Sequence, residues 1–90
     1  MTLTELRYIV AVAKHLHFGK AATSCHVSQP TLSLGIKKLE DELGVEIFER
    51  AARNEIRITH QGHRIIEQAQ RTLEEASNIK HIAQMHQDPL

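Results

Sequence analysis

The middle of the chain carries the clearest helical pattern of apolar positions. Four residues recur at spacings of four, three and four, which places them on one face that must be buried: Leu32, Ile36, Leu39 and Leu43. Ser28 or Gln29 can cap the start of this helix. Pro30 fits the first turn, where its missing N–H costs nothing, and Gly44 ends the pattern. The sequence therefore predicts a helix over residues 28–43.

Two further helices are predicted before this one. Thr2 and Glu5 have the spacing of a capping box, and the apolar positions that follow reach the end of a first helix: Leu6, Ile9, Val10, Ala13 and Leu16. Residues 17–19 break the pattern, and residues 20–25 predict a short second helix with small side chains. A short helix, a turn at residues 26–27 and a capped third helix predict a helix-turn-helix.

After Gly44 the apolar pattern becomes strand-like on both sides of a polar stretch at residues 50–54, which predicts a β-hairpin, or wing, over residues 47–58. Arg50 and Arg53 flank two alanines at its predicted tip, a shape that suits a DNA minor groove. The alternative is a solvated loop whose arginines pair with Glu49 or Glu55.

The last predicted helix, over residues 59–88, is capped by Thr59 and has an apolar stripe at close to coiled-coil spacing: Ile65, Ile66, Ala69, Leu73, Ala76, Ile79 and Ala83. Beyond Ala76 nothing else in the 90 residues can cover the stripe, so we expect the same helix of a second chain to do so. The predicted fold is mainly α: a winged helix-turn-helix over residues 1–58, a linker and dimerisation helix over residues 59–88, and the start of a hinge at residues 89–90.

The formal net charge is zero, but the charges are segregated along the chain. Residues 6–39 hold five basic and no acidic residues, residues 40–49 hold five acidic and no basic ones, and residues 50–64 hold four arginines against one glutamate. The outer face of the predicted third helix therefore begins without a carboxylate, which suits a groove lined by phosphates. The alternative is an ordinary surface helix with solvated lysines.

Several kinds of chemistry have no sequence signature here. We find no phosphate-binding glycine loop, no paired CxxC motif and no nucleophile with a base, which argues against an enzyme and against a cofactor. His15 and His17, or His60 and His63, supply at most two metal ligands in each pair, so no metal site is expected. The single cysteine, Cys25, lies on an apolar helix face and reads as a core thiol. No apolar run approaches a membrane span, and the expected location is cytoplasmic.

Five motifs agree in order and distance with one known family: residues 6–10 (LRYIV), 18–22 (FGKAA), 27–33 (VSQPTLS), 38–45 (KLEDELGV) and 48–50 (FER). They resemble the N-terminal domain of LysR-type transcriptional regulators, and residues 17–19, 25–27 and 30–33 are most similar to the peroxide-sensing OxyR branch. The resemblance implies a winged helix-turn-helix, a linker helix and a C-terminal effector-binding domain that this chain does not include. It also implies a tetrameric full-length protein on promoter DNA, with RNA polymerase as a candidate partner.

The sequence predicts double-stranded promoter DNA and a second copy of the chain as partners. The predicted DNA-binding residues are Ser28, Gln29, Pro30, Thr31, Ser33, Leu34, Lys37, Lys38, Arg50 and Arg53. Two departures from the family pattern matter: Leu34-Gly35 replaces a polar or basic pair, and residues 60–62 read HQG where Pro-Ala-Gly is frequent. The competing hypotheses are a winged-helix module that binds protein without DNA and a histidine-based metal sensor.

Overall fold

The computed structural model describes residues 1–87, and in that range the chain forms four α-helices and one two-stranded sheet. The predicted hinge at residues 89–90 lies outside the described residues, as does residue 88. The elements in chain order are α1 (Leu3–His15), α2 (Phe18–Ser24), α3 (Gln29–Leu43), β1 (Phe48–Arg50), β2 (Ile56–Ile58) and α4 (His60–Gln87). A 3₁₀ turn, Ala52–Asn54, joins the two strands. This order confirms the predicted winged helix-turn-helix.

Helix α1 starts at the predicted capping box and lies at the centre of the domain. The Thr2 hydroxyl accepts a hydrogen bond from the Glu5 amide (3.1 Å), and the Glu5 carboxylate accepts one from the Thr2 amide (2.9 Å). Leu16 does not belong to the buried stripe, because it ends the helix in the left-handed conformation (φ 49°) with 51% of its surface exposed. Tyr8 and Val12 fill the core instead.

Helix α2 begins two residues earlier than the sequence pattern indicated. The imidazole Nδ1 of His17 accepts a hydrogen bond from the Lys20 amide (2.9 Å), so His17 is the N-cap and Phe18 and Gly19 are the first helical residues. The predicted break between the two helices is present at Leu16 and His17, but its extension over residues 18–19 was wrong, because histidine is an uncommon cap and its signal is easily missed. The turn that follows places His26 at φ 59° and leads into α3.

Helix α3 is bounded as predicted by Ser28 and by Gly44, which ends it at φ 72°. Leu32, Ile36 and Leu39 are buried, but Leu43 is 39% exposed. The prediction that Leu43 is buried was wrong, because it lines an open groove towards α4 in the last turn of the helix.

The wing is an antiparallel hairpin whose base is fixed by side chains from α3 and from the start of α4. Arg50 pairs with Ile56 and Phe48 with Ile58 across the sheet. The Glu40 carboxylate accepts hydrogen bonds from the amides of Ile47 (2.7 Å) and Phe48 (3.2 Å). The strands therefore have a fixed position relative to α3.

Helix α4 is joined closely to the base of the wing. The Thr59 hydroxyl donates a hydrogen bond to the Glu46 carbonyl (2.6 Å) and accepts one from the Gly62 amide (2.9 Å), which confirms Thr59 as its cap. A Cβ atom on Gly62 would collide with the Ile47 carbonyl. Glycine at this position thus permits the close approach that sets the direction of α4, although residues 60–61 depart from the family pattern.

The apolar stripe of α4 is covered only over its first half. Ile66 and Ala69 are buried at 6% and 3% exposure in the domain's own core, so they are not free to form a dimer interface as predicted. Leu73 is half-buried against the same core. Farther along, Ile79, Ile82 and Met85 are 69%, 64% and 71% exposed. No helix in residues 1–87 is both long and apolar enough to cross a membrane.

One hydrophobic core joins the helices to the base of the wing. Helix α1 packs against α2, α3 and α4, and α2 packs against α3. The buried apolar residues are Leu6, Tyr8, Ile9, Val12, Ala21, Ala22, Leu32, Ile36, Leu39, Ile47, Phe48, Ile66 and Ala69. The outer face of α3 and the hairpin remain on the surface.

Candidate nucleic-acid interface

The leading end of α3 is held by a hydroxyl pair. The Ser28 hydroxyl accepts a hydrogen bond from the Thr31 amide (3.3 Å) and donates one to the Thr31 hydroxyl (2.9 Å). Both predicted site residues are exposed, but their hydroxyl groups already bond to each other. Gln29 and Pro30 are exposed beside them. Within the described residues, the Gln29 side chain forms no hydrogen bond, unlike the Ser28 and Thr31 hydroxyls. At the leading end of α3, Gln29 is therefore the residue whose polar side chain is not engaged within the described part of the chain.

The outer face of α3 is accessible along its length. Leu34 is 70% exposed, Lys38 is exposed and Ser33 is half-buried. Gly35 faces inward, where a Cβ atom would lie only 2.8 Å from the Tyr8 ring. The absent side chain at Gly35 thus lets α3 approach α1, and Leu34 presents methyl groups on the outer face. A methyl contact with thymine is the readout that such a group can make.

Lys37 already has a partner. Its ammonium group lies 3.1 Å from the carboxylate of Asp41, one turn farther along α3, and both side chains are exposed. The hydrogen bond that Lys37 donates to Asp41, together with the negative charge of that carboxylate, raises the pKa of Lys37 above its ordinary value. Lys37 therefore remains charged, but a phosphate must compete with Asp41 for it.

Gln29 lines a cleft where α2, α3 and the wing meet. This cleft, of about 330 Å³, is also lined by His17, Gly19 and Arg50. A second cleft of about 230 Å³ is adjacent, because Phe18, Arg50 and Ile56 line both, and it includes Ser33 and Lys37. The structure thus brings Gln29, Ser33, Lys37 and Arg50 to one continuous surface.

Arg50 is not at the tip of the wing, contrary to the sequence prediction. It is the last residue of β1, and its guanidinium carbon lies 5.4 Å from the centre of the Phe18 ring. The Phe18 ring also meets the Phe48 ring edge-on, with centres 6.4 Å apart and planes at 75°. The predicted tip began one residue too early, because the strand pairing includes Arg50 and its side chain lies over the Phe18 ring of α2.

Arg53 is the arginine at the tip. It is exposed and adopts the left-handed conformation at φ 63° in the turn between the strands. Among the ion pairs of residues 1–87, none joins Arg50 or Arg53 to Glu49 or Glu55. The two arginines therefore differ in their surroundings, since Arg50 lies over the Phe18 ring and Arg53 is exposed in the turn.

The acidic block after α3 has internal partners. Glu40 binds the base of the wing, Asp41 binds Lys37, and Glu42 binds the amino group of Met1 at 2.6 Å. All three lie in the C-terminal half of α3. The N-terminal half of the helix thus remains without acidic residues, and a phosphate would meet no carboxylate there.

Nothing in the described part of the chain assembles a metal centre. No group of three or more histidine, cysteine, aspartate or glutamate residues is arranged to hold a metal ion within residues 1–87. Cys25 is half-buried at the end of α2. A groove of about 570 Å³ lies elsewhere, between the end of α3 and α4, and is lined by Leu43, Val45 and Ile65.

Sequence reasoning missed two residues that organise this surface. Phe18 was assigned to a break, although an aromatic residue three positions before two buried alanines is compatible with a helix start. Glu40 was counted only as a member of the acidic block, although it is the first acidic residue after the basic half of α3. Its bond to the wing joins residues seven and eight positions apart and leaves no local signal.

Comparison with known proteins identifies related sequences. A family model described as bacterial regulatory helix-turn-helix protein, lysR family, matches residues 3–63. A hydrogen peroxide-inducible genes activator of Pectobacterium carotovorum is 51% identical, and the DNA-binding transcriptional dual regulator OxyR of Escherichia coli is 49% identical, each over 83 residues. Each alignment covers 92% of this chain and 27% of the relative, so the chain spans about a quarter of the length of these proteins.

Solved structures are similar over nearly the whole chain. A full-length OxyR variant from Pseudomonas aeruginosa has a TM-score of 0.92 and 59% identity, covering 98% of this chain and 30% of that one. The CbnR DBD bound to DNA has a TM-score of 0.88 and 34% identity, covering 98% and 100% of the two chains. The BenM DBD on benA site 1 DNA has a TM-score of 0.89 and 33% identity, covering 100% of both.

Proposed function

Because the chain belongs to the lysR family of bacterial regulatory helix-turn-helix proteins, we propose that it is the sequence-specific duplex-DNA-binding domain of an OxyR-like transcription regulator. In this proposal α3 enters the major groove and the wing lies against the flanking DNA. The domain division follows: residues 1–58 bind DNA, and residues 59–88 form a linker helix whose first turns also pack on the domain. The chain acts as a binding module and not as an enzyme, and it works where bacterial promoter DNA lies, in the cytoplasm.

The exposed N-terminal half of α3 carries the proposal. From Gln29 to Lys37 it offers amide, hydroxyl, methyl and ammonium groups and no carboxylate, with Arg50 beside it. An amide can form two hydrogen bonds with an adenine edge, and Lys37 can bind phosphate. Phosphate contacts give affinity for any sequence, and the Gln29 amide and the Leu34 methyl groups give the choice among sequences.

The experiment compares Gln29→Ala with Lys37→Ala on two duplexes. One duplex is selected by the protein from a randomised pool, and the other is a scrambled sequence of the same composition. We expect Gln29→Ala to cost about 1–3 kcal/mol on the selected duplex and little on the scrambled one, because only base contacts distinguish them. Lys37→Ala should weaken both. Equal losses for Gln29→Ala on both duplexes would contradict the groove assignment, and failure to enrich any sequence would contradict the function.

The second part of the proposal is a homodimer formed through the distal half of α4. Ile79, Ile82 and Met85 are exposed on a helix that continues past the domain's own core. A stripe of this kind at helical spacing is stabilised by a second helix. A two-fold dimer then binds a dyad-symmetric site with two recognition helices about one DNA turn apart, or a multiple of it. A full-length tetramer and contact with RNA polymerase belong to the same proposal and depend on the longer relatives.

A further inference from the structure

Arg50 has a defined surrounding on the protein that Arg53 lacks. Its backbone is held in the sheet opposite Ile56, and its guanidinium lies against the Phe18 ring at 5.4 Å. The guanidinium carries the positive charge and the ring presents its electron-rich face, so the contact is attractive and restricts the long side chain. Because Phe18 is the first residue of α2, this contact ties the wing to the start of the helix-turn-helix.

The strand that carries Arg50 is also fixed in position. Glu40 binds the amides of Ile47 and Phe48, and Phe48 meets Phe18 edge-on. The strand that carries Arg50 is therefore connected to α3 through Glu40 and to α2 through two aromatic rings. A side chain with its backbone and its end both restricted loses little conformational freedom when it binds a ligand.

The position of the guanidinium indicates what it can bind. Arg50 and Phe18 line both clefts at this surface. One contains Gln29 and no carboxylate, and the other contains Ser33 and Lys37 together with Glu49 and with Glu40, which is bound to the wing amides. Arg50 thus lies beside the residues proposed to enter the major groove, at the end of β1 that leads into the turn carrying Arg53. A DNA strand bordering that groove presents phosphates at this edge, and an arginine fork matches a phosphate.

We propose that Phe18 is a positioning residue that holds Arg50 for a phosphate at the edge of the site contacted by Gln29, so that Arg50 anchors α3 and leaves the flanking minor groove to Arg53. The proposal rests on the proposed DNA binding. It assigns different roles to two arginines that the sequence treats as a pair. Arg50 fixes the register of α3 on the duplex, and Phe18 acts only through Arg50.

The test is a double-mutant cycle combined with neutralisation of single phosphates. Phe18→Leu, Arg50→Ala and the double variant are titrated with the duplex selected by the wild-type chain and with copies carrying one methylphosphonate at a time. We expect Arg50→Ala to weaken binding about tenfold and to lower the salt-dependence slope by about 0.9, the value of one phosphate contact. One methylphosphonate position should weaken the wild type and leave Arg50→Ala unaffected.

The Phe18 variants distinguish positioning from a structural role. We expect Phe18→Leu to weaken binding about three- to fivefold when Arg50 is present and to have no effect in the Arg50→Ala background. Phe18→Tyr keeps the aromatic face and should bind like the wild type. A loss of the same size with and without Arg50 would mean that the ring only supports the fold, and it would overturn the proposal, as would the absence of any methylphosphonate position specific to Arg50.

A measurement without DNA covers the case in which Phe18→Leu does not fold. In the free wild-type chain the Arg50 side-chain protons should show NMR shifts displaced by the nearby ring face, and resonances at the values of an unstructured peptide would overturn the proposal. Failure of the wild-type chain to select any DNA would remove the proposed function together with this inference. Selective binding in which Phe18 and Arg50 act independently would remove this inference alone.

Discussion

Single residues decide how strongly the exposed face of α3 attracts a phosphate. Lys37 is charged, but its ammonium group is shared with Asp41 at 3.1 Å. Both side chains are exposed, so the pair is weak and is screened by salt. Asp41 therefore acts as a competitor that a phosphate displaces, and it moderates binding that is independent of sequence.

We predict that Asp41→Asn increases the affinity for the selected and the scrambled duplex alike, by about three- to tenfold at low salt. The change frees Lys37 and removes one negative charge from the face of α3. Titrations at several salt concentrations measure the effect, which should shrink as the salt concentration rises. Glu74→Gln is the matched control, since it makes the same change of charge on an exposed position of α4. An equal gain for both variants would show that only net charge matters.

Cys25 is the residue to test for reaction with peroxide, because a relative is named a hydrogen peroxide-inducible genes activator. It caps the end of α2, is half-buried, and packs against the core beside Ala21 and Ala22. A reactive thiol needs exposure and a stabilised thiolate, and a reversible switch usually needs a resolving thiol. The sequence holds one cysteine.

We predict that mild peroxide leaves the DNA affinity of this chain unchanged. Cys25→Ser should bind DNA like the wild type and lose about 1 kcal/mol of stability, because a hydroxyl replaces a thiol in an apolar setting. DNA titration before and after peroxide, with thermal unfolding of both forms, measures this. A peroxide-dependent affinity that disappears in Cys25→Ser would reverse the assignment.

Residues whose roles depend on near neighbours in sequence were predictable, and those that depend on distant ones were not. The helix caps have signals within a few positions of the sequence, and each of the following caps lies where the sequence indicates: Thr2 with Glu5, Ser28, Gly44 and Thr59. His17 was missed because its ring replaces the usual hydroxyl or carboxylate of a cap. The inward orientation of Gly35 depends on a tyrosine of another helix, which no local pattern reveals.

Among the elements, the period of the apolar residues predicts which segments are helices and which are strands. It does not predict the direction in which the hairpin lies on the domain. The hairpin was predicted from two short apolar runs around a polar stretch, and the register is antiparallel. Its direction depends on Glu40, Thr59 and Gly62, which connect it to α3 and α4. With that direction the side chain of Arg50, at the end of β1, reaches the Phe18 ring at the start of α2, and Arg53 remains exposed in the turn.

We predict that Arg53→Ala flattens a preference for A·T over G·C in the sequences flanking the core site. A narrow A·T-rich minor groove has a strong negative potential that attracts an arginine at a wing tip. Selection from a pool with randomised flanks measures the preference, and the core sequence should survive the change. Arg50→Ala is the comparison and should leave flank preference intact. Unchanged flank preference in Arg53→Ala would indicate that the tip is a solvated loop.

The whole molecule is longer than its core requires. The described chain extends 57 Å along its longest axis and 24 and 19 Å across it, because α4 continues past the packed domain. The sequence indicated correctly that the distal stripe lacks a cover, since Ile79, Ile82 and Met85 are exposed within residues 1–87. It could not indicate at which residue the buried part of the α4 stripe ends, because this position depends on how α1 packs along α4 and buries Ile66 and Ala69.

We predict that Ile79→Glu converts a dimer into a monomer while the helix-turn-helix stays folded. Ile79 is 69% exposed, so the charge costs the free domain little but would be buried in a helix pair. Sedimentation measures the mass, and circular dichroism checks the fold. Ser77→Glu, on the opposite side of α4, is the matched control and should remain dimeric. Leu73→Glu is less informative, because Leu73 also packs against the domain core. A dimer that survives Ile79→Glu would exclude this face as the interface.

Thr59 and Gly62 fix the start of α4 at the base of the wing. The direction of the helix at that point therefore determines where its far end lies. Its 28 residues span about 42 Å at 1.5 Å per residue. Because Ile66 and Ala69 fix the first half of α4 in the core, helix and domain keep one relative direction, and a difference of about 10° in that direction would displace the far end by about 7 Å, the rise of about two base pairs. In a pair of such chains, the angle between the two α4 helices would set the span between recognition helices. The distance between the two half-sites on DNA would then report the angle between the two α4 helices.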